Sequence, residues 1–240
     1  MMKNQVAVVT GASRGIGKEI ARQFAEQGAK LTLIGSSDDI FTAAHELKNQ
    51  GFEHVLAIKA NVADENMVHK AVNQTIEEYG QVDILVNNAG VGFFKEVEEV
   101  SVDEWKHLFE VNVQGVFVCS KAVLPTMKEQ KSGTIITISS DVARYTIPNG
   151  SAYTATKYAV QGFSGSLAQE VREYGIRVGT INPGMVDTFF AGSKQGDSDK
   201  HDWLKVENVA SAVTYMANAP KHMVIDEMVL HPLVQQYPIA

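Results

Sequence analysis

Tyr153 and Lys157 stand four residues apart, and Ser140 lies thirteen positions upstream of the tyrosine. On a helix that spacing puts the phenol and the ammonium on one face. A free tyrosine ionises near pH ~10, too high for a base at neutral pH. A neighbouring ammonium favours phenolate and brings the group toward the range useful for general acid–base work. Ser140 adds a hydroxyl that can hold a substrate oxygen. Tyr-x-x-x-Lys alone is a weak pattern in a chain with seven tyrosines. Its weight comes from its place, at the head of a helix that follows a strand ending in Ile138-Ser139-Ser140.

A second constellation opens the chain. Thr10-Gly11-Ala12-Ser13-Arg14-Gly15-Ile16-Gly17 joins a short valine-rich strand to a helix. Glycines let backbone approach a pyrophosphate, and a helix N-terminus offers unpaired N–H groups and positive dipole. The spacing is G-x-x-x-G-x-G, distinct from G-x-G-x-x-G. A Walker-type loop is a near miss, because Gly17-Lys18 is followed by Glu19. Past the second strand, where an acid commonly holds a ribose 2′-OH, the chain reads Gly35-Ser36-Ser37 and has no acid before Asp38. Arg14, Ser36 and Ser37 can hold a 2′-phosphate instead, which favours NADP(H) over NAD(H).

The elements that position these residues alternate in period. Strands are expected at Gln5–Val9, Leu31–Ile34, Val55–Ile58, Val82–Val86, Thr134–Ile138, Ile176–Ile181 and Met228–Leu230. Between them fall a helix through Ile16, Ile20, Phe24 and Ala25, then Asp39–Gln50, Glu65–Tyr79, a long helix or helix pair over Val102–Met127, Ala152–Tyr174 and Val206–Ala219. Strands apolar throughout, alternating with helices, indicate a parallel sheet covered on both faces. The expectation is one α/β domain over 1–240, a Rossmann-type doubly wound parallel sheet of about seven strands. A substrate loop is expected around 188–204. Within it Gly192–Asp202 is too hydrophilic for core and suits a mobile lid.

Of the 240 residues, 45% are hydrophobic and 20% charged, enough apolar material for a sizeable core. A net charge of -7 argues against nucleic acid or anionic membrane as partner. No stretch is long enough to span a bilayer, and Met1–Gln5 lacks a secretion signal's apolar core, so a cytoplasmic protein is expected. Cys119, the single cysteine, reads as a buried filler. His201 reads as a solvated loop residue, and no metal site is expected.

The motifs taken together resemble the short-chain dehydrogenase/reductase family across nearly the whole chain. Thr10–Gly17 is similar to the family's TGxxxGxG turn, and Asn87-Asn88-Ala89-Gly90 to its NNAG segment. Asn112 falls where the family keeps an asparagine, Ser140 precedes Tyr153 by the usual interval, and Pro183-Gly184 with Thr188 matches the stretch that meets the nicotinamide carboxamide. The resemblance implies Tyr153 as general acid/base and Ser140 as the group stabilising the reacting carbonyl. Lys157 would tune the tyrosine and hold the nicotinamide ribose, and Asn112 would support a water-linked proton relay to Lys157. The cofactor-binding set it implies is Gly11, Ser13, Arg14, Gly15, Ile16, Gly17, Ser36, Ser37, Asn61, Val62, Asn88, Ala89, Gly90, Tyr153, Lys157, Pro183, Gly184, Val186 and Thr188.

There are two departures from the family pattern. Asn61 replaces a frequent aspartate near adenine. The stretch Ile225–Pro232 lacks the V-D-G-G of 3-ketoacyl-carrier-protein reductases, and is more similar to the branch acting on small carbonyls and hydroxy acids. The expected activity is hydride transfer between NADPH and a ketone or aldehyde in a homodimer or homotetramer, paired through the long helices. Phe93, Ile147, Met185, Phe189 and Phe190 are placed to line an apolar substrate cleft. The alternatives are an NAD-dependent alcohol dehydrogenase and a non-catalytic NADPH-sensing or scaffold protein.

Overall fold

Within the central strands, successive side chains are buried on opposite faces. In the computed structural model of the chain, which describes residues 2–236, Ala7 and Val9 of β1 (Val6–Thr10) enter one core while Val8 enters the other. The same division separates Ile84 and Val86 from Leu85 in β4 (Ile84–Asn87), and Ile136 from Ile135 in β5 (Gly133–Ile138). With β2 (Lys30–Gly35), β3 (Val55–Lys59), β6 (Ile176–Pro183) and β7 (Glu227–Leu230), these form one seven-stranded sheet in the order β3-β2-β1-β4-β5-β6-β7. Every pairing is parallel.

One face is covered by α1 (Gly15–Glu26), α2 (Asp39–Asn49) and α7 (Val206–Ala217), which contribute Ile20, Phe24, Ile40, Leu47, Val209 and Val213 to its core. On the other, α3 (Glu65–Tyr79), α5 (Gly115–Gln130) and α6 (Ser151–Val171) bring Val68, Val72, Val123, Met127, Leu167 and Val171. Chain order reverses direction in the sheet between β1 and β4, the switch point outside whose carboxyl ends ligands bind in this architecture. Cys119 is buried in the second core, and burial pushes its thiol up to about 12, as suits a filler.

The expected helix over 102–127 is three pieces. A capping box between Ser101 and Glu104 starts α4 (Val102–Phe109), a five-residue π-helical turn follows at Glu110–Gln114, and α5 then runs on. The break coincides with a tertiary bond of Asn112, whose amide meets the Val91 backbone. The helix expected over 152–174 is regular through Val171 and tightens over Arg172–Tyr174 before Gly175, whose φ of 69° lets the chain turn into β6. None of the described helices is long and apolar enough to cross a membrane.

Candidate active site and cofactor cradle

The carboxyl ends of β1, β4, β5 and β6 converge on one crevice. Thr10, the last residue of β1, holds two of its walls together. Its hydroxyl oxygen accepts from the backbone N–H groups of Asn88 and Ala89, each at 3.0 Å, and donates to the Val86 carbonyl at 3.3 Å. Asn88 returns the bond, its Nδ2 donating to the carbonyl oxygens of Thr10 (2.9 Å) and Gly11 (3.1 Å). Asn88 thus acts on the glycine turn rather than pointing free into the crevice. A side chain at Gly17 would overlap Asn88 and the Gly11 backbone, so α1 reaches this position only as glycine.

The turn itself fits an anion. The N-terminus of α1 has no side-chain cap and no acid in its first turn, whereas α3 and α4 are capped by Asp64 and Ser101. Gly15, at φ +56°, faces open space where other residues would carry a Cβ. Unpaired N–H groups with positive dipole and an unobstructed approach are what a pyrophosphate needs.

Beyond β2, Ser36 and Ser37 are exposed, and the Ser37 hydroxyl donates to Asp39 at 2.9 Å. Asp38 pairs with Lys59 at 3.0 Å, and Lys59 stands beside Gly35 in the β2–β3 register. Lys59 was not legible as a site residue. It pairs with the first acid after the strand. Arg14 is exposed, with its guanidinium 5.2 Å from the centre of the Phe189 ring, so the phosphate turn and the substrate loop touch. Asn61 is exposed and accepts from the Ala63 N–H at 3.1 Å, while Val62 is buried against Gly115. Ser13 lies under Gly35, and Ile16 packs on the first core.

Tyr153, Lys157 and Ser140 come together as their spacing implies. All three are buried, the first two on the first turns of α6 and Ser140 just past β5. Lys157 Nζ donates to the Ile138 carbonyl at 3.1 Å and sits 5.4 Å from the Tyr153 ring centre. Burial brings the Lys157 ammonium down to about 8. Burial also dominates at Tyr153 and pushes its phenol above the ordinary value. The Ser140 hydroxyl opposes that rise and the Asp141 charge adds to it. The lowering expected from Lys157 is not among the influences on this phenol, and desolvation favours its protonated form.

The Asn112 amide is fully engaged between two elements. Its Oδ1 accepts from Val91 N–H (2.9 Å), and its Nδ2 donates to Val91 O (2.8 Å) and to Thr156 Oγ1 (3.2 Å). These bonds anchor the segment after β4 to α6, with no direct bond to Lys157 among them. The π-helical turn is what brings the amide to Val91, and displaced ladder bonds of this kind mark functional positions in helices.

Over Tyr153 lies an aromatic cover. Phe94 meets its ring edge-on at 5.9 Å, and Phe190 tilts against it at 5.2 Å. A Cβ at Gly92 would strike the Phe190 ring, so that glycine makes the seat. Phe93 packs on the same small cluster, Phe189 and Ile147 are exposed, and Met185 is half-buried. Thr188 is buried, and its hydroxyl accepts from Phe190 N–H at 3.3 Å. Val186 and Leu204 bridge the two ends of the loop.

The polar stretch expected to be too hydrophilic for core is anchored instead. Lys200 is 3% exposed, with its ammonium on the carbonyls of Thr188 (3.4 Å) and Lys194. Asp187, also buried, takes the Gly196 N–H (2.8 Å) and Lys205 (3.1 Å). Charges paired in this way can leave the surface, which hydropathy alone does not register. His201 is exposed and pairs with Asp202 at 2.8 Å.

A parallel doubly wound sheet with an uncapped helix N-terminus at its switch point is an architecture suited to nucleotides, and a tyrosine, a lysine and a serine are buried together beside it. Comparison with known proteins carries this further. The sequence profile of the short chain dehydrogenase family matches residues 5–199. An uncharacterized oxidoreductase of Staphylococcus epidermidis is 32% identical over 97% of this chain and 99% of its own. Among solved structures, an alcohol dehydrogenase from the archaeon Thermococcus sibiricus, complexed with 5-hydroxy-NADP, superposes with a TM-score of 0.92. It is 35% identical and covers 98% of this chain and 99% of its own. A 3-ketoacyl-(acyl-carrier-protein) reductase from Brucella melitensis, complexed with NADH, has a TM-score of 0.87 at 28% identity, covering 96% and 97%. The chain belongs to the short-chain dehydrogenase/reductase family and is an oxidoreductase.

Proposed function

We propose that the protein reduces a ketone or aldehyde to the alcohol with NADPH, in a reaction reversible in principle. The observation that carries this reading is the buried Tyr153 phenol, which burial favours in its protonated form, beside the Ser140 hydroxyl and the Lys157 ammonium. A phenol kept protonated donates, and a carbonyl oxygen gaining negative charge needs a donor. Tyr153 Oη gives its proton to that oxygen, and the Ser140 hydroxyl holds the oxygen in place by hydrogen bonding. Lys157, short of acceptors in its buried site, offers N–H donors beyond Ile138 for the nicotinamide ribose. When bound, the nicotinamide supplies the hydride.

The cofactor would be held by the α1 N-terminus and Gly11–Gly17 at its pyrophosphate, by Asn88–Gly90 along its length, and by Pro183, Gly184, Val186 and Thr188 near the carboxamide. Arg14, Ser36 and Ser37 would take the 2′-phosphate. Pairing of Asp38 with Lys59 supports that choice, because it puts a cation beside the first acid after the strand. The NADP-type ligand of the archaeal relative supports it too. The substrate would be an apolar carbonyl compound, held under Phe94 and Phe190. Copies would pair through α5 and α6, where Phe117 and Tyr158 are exposed.

Initial rates with NADPH and with NADH, against ketones, aldehydes and 3-oxo thioesters, test the reading. Turnover that prefers NADPH supports it. Preference for NADH points to the NAD-dependent dehydrogenase instead, and tight NADPH binding without turnover to the sensor.

A further inference from the structure

Directly after Ser140 stands a carboxylate that the proposed chemistry does not use. Asp141 is buried, and its Oδ1 accepts from the Ser140 hydroxyl at 3.0 Å. Its Oδ2 meets Gln235 Nε2 at 2.6 Å and His231 Nε2 at 3.2 Å, both from the segment after β7. A buried carboxylate is costly, and a turn can be closed without one.

Gln235 has a second attachment. Its Oε1 accepts from the Met185 backbone N–H at 2.9 Å. One amide therefore spans two walls of the crevice, with the catalytic serine's turn at one end and the stretch after β6 at the other. The fit is close: a Cβ on Gly184 would overlap Gln235 Oε1 and come within 2.8 Å of His231 Cδ2. Gly184 N–H also donates to Leu230 O at 2.8 Å, and Ser140 Oγ lies 3.4 Å from Pro183 O. Serine, carboxylate, amide and the backbone expected to meet the nicotinamide form one closed ring of contacts.

We propose that Gln235 is a positioning residue for hydride transfer, fixing the Ser140 hydroxyl through Asp141 relative to the Pro183–Met185 backbone. This rests on the proposed reductase reading. His231 is the second donor that keeps the Asp141 carboxylate in place. The charge also favours a protonated Tyr153, in the same direction as burial.

The test uses the full-length protein and two variants, Gln235→Met, which keeps length and removes both polar atoms, and Gln235→Glu. Gln235→Met is expected to lower kcat about tenfold, the loss of one hydrogen bond to a charged group, with NADPH affinity by fluorescence titration within about twofold of wild type. Gln235→Glu sets a second carboxylate against Asp141, so it is expected to be poor at neutral pH and to recover as acid protonates one of the pair. The groups near that pair are His231, Tyr153, and Arg144 with Glu227, all present in wild type, whose profile is the control. A purely structural role would make kcat follow the variant's melting temperature across this pH range, whereas positioning moves kcat while the melting temperature stays well above the assay.

Hydrogen exchange over 139–145 and 183–187 gives a readout independent of turnover, and Gln235→Met is expected to speed exchange in both segments. If wild type reduces no carbonyl, the reductase reading fails, and unchanged exchange in both segments then sinks the coupling separately. Wild-type kcat in Gln235→Met, with turnover otherwise normal, overturns the proposal.

Discussion

The ring of Phe190 rests 5.2 Å from that of Tyr153, in a seat that only a glycine at position 92 leaves open. The residue expected to give or take the proton is therefore covered by a side chain of the substrate loop. An apolar substrate that slides beneath Phe190 replaces one apolar contact with another, while a strongly hydrated one loses water without compensation. Phe190→Ala is expected to raise KM for aryl and alkyl ketones about tenfold, in line with losing part of an aromatic burial, and to alter kcat less. Steady-state kinetics on a ketone series of increasing chain length checks this, and a KM unmoved across the series removes the apolar cleft.

In the proposed reading, Arg14 carries the cofactor preference. Arg14→Ala is expected to weaken NADPH binding by about tenfold or more, the scale of one hydrogen bond to a charged group, while leaving NADH affinity alone. Fluorescence titration with both cofactors, repeated at two ionic strengths, separates a specific contact from general charge. Equal effects on the two cofactors would assign the 2′-phosphate to other residues.

Lys157 gives a stability signature as well as a kinetic one. Burial lowers its value from 10.5 to about 8. Between those values the unfolded chain binds more protons than the folded one, so stability contributed by this residue rises with pH across that window. Below about 8 the folded protein bears the cost of a buried ammonium. Lys157→Met is expected to melt higher than wild type near pH 7, with the gap closing toward pH 10. Its kcat is expected to fall by about two orders of magnitude or more. Paired melting curves from pH 6 to 10 decide the first point, and a gap that does not vary with pH contradicts it.

Asp187 ties down the substrate loop. Burial raises its carboxyl, but the Gly196 N–H, Lys205 and Lys200 together outweigh that and hold it below the ordinary value. A depressed carboxyl contributes its stabilisation in full above the usual carboxylate range and loses it as pH falls through the lowered value. Proteolysis within 188–204 is expected to accelerate at acid pH in wild type. Asp187→Asn is expected to show fast cleavage already at neutral pH, and cleavage as slow as wild type would show that the loop is held by something else.

Much of this was legible in the sequence, and what was not has identifiable causes. Helix α3 runs over Glu65–Tyr79 as its periodicity implies, because Asp64 caps it and Gly80 ends it in the left-handed region. The glycine turn and the Tyr153–Lys157 pair were readable because they are local, set by a few residues in sequence. The break at Glu110–Gln114 was not, since neither Pro nor Gly lies within it and the bond that goes with it, between Asn112 and Val91, spans 21 residues. Lys200 was misjudged because hydropathy counts its charge without the carbonyls that receive it. Asp141 and Gln235 are 94 residues apart and meet only because β7 pairs with β6.

The central claim is that Tyr153 moves the proton while NADPH is consumed. The decisive measurement is the initial rate of NADPH oxidation on the best ketone of a panel, for wild type and Tyr153→Phe, with NADPH affinity measured in parallel. Turnover in wild type that drops by about two orders of magnitude or more in Tyr153→Phe, at unchanged NADPH affinity, is the expected result. Wild-type rates in Tyr153→Phe would contradict it.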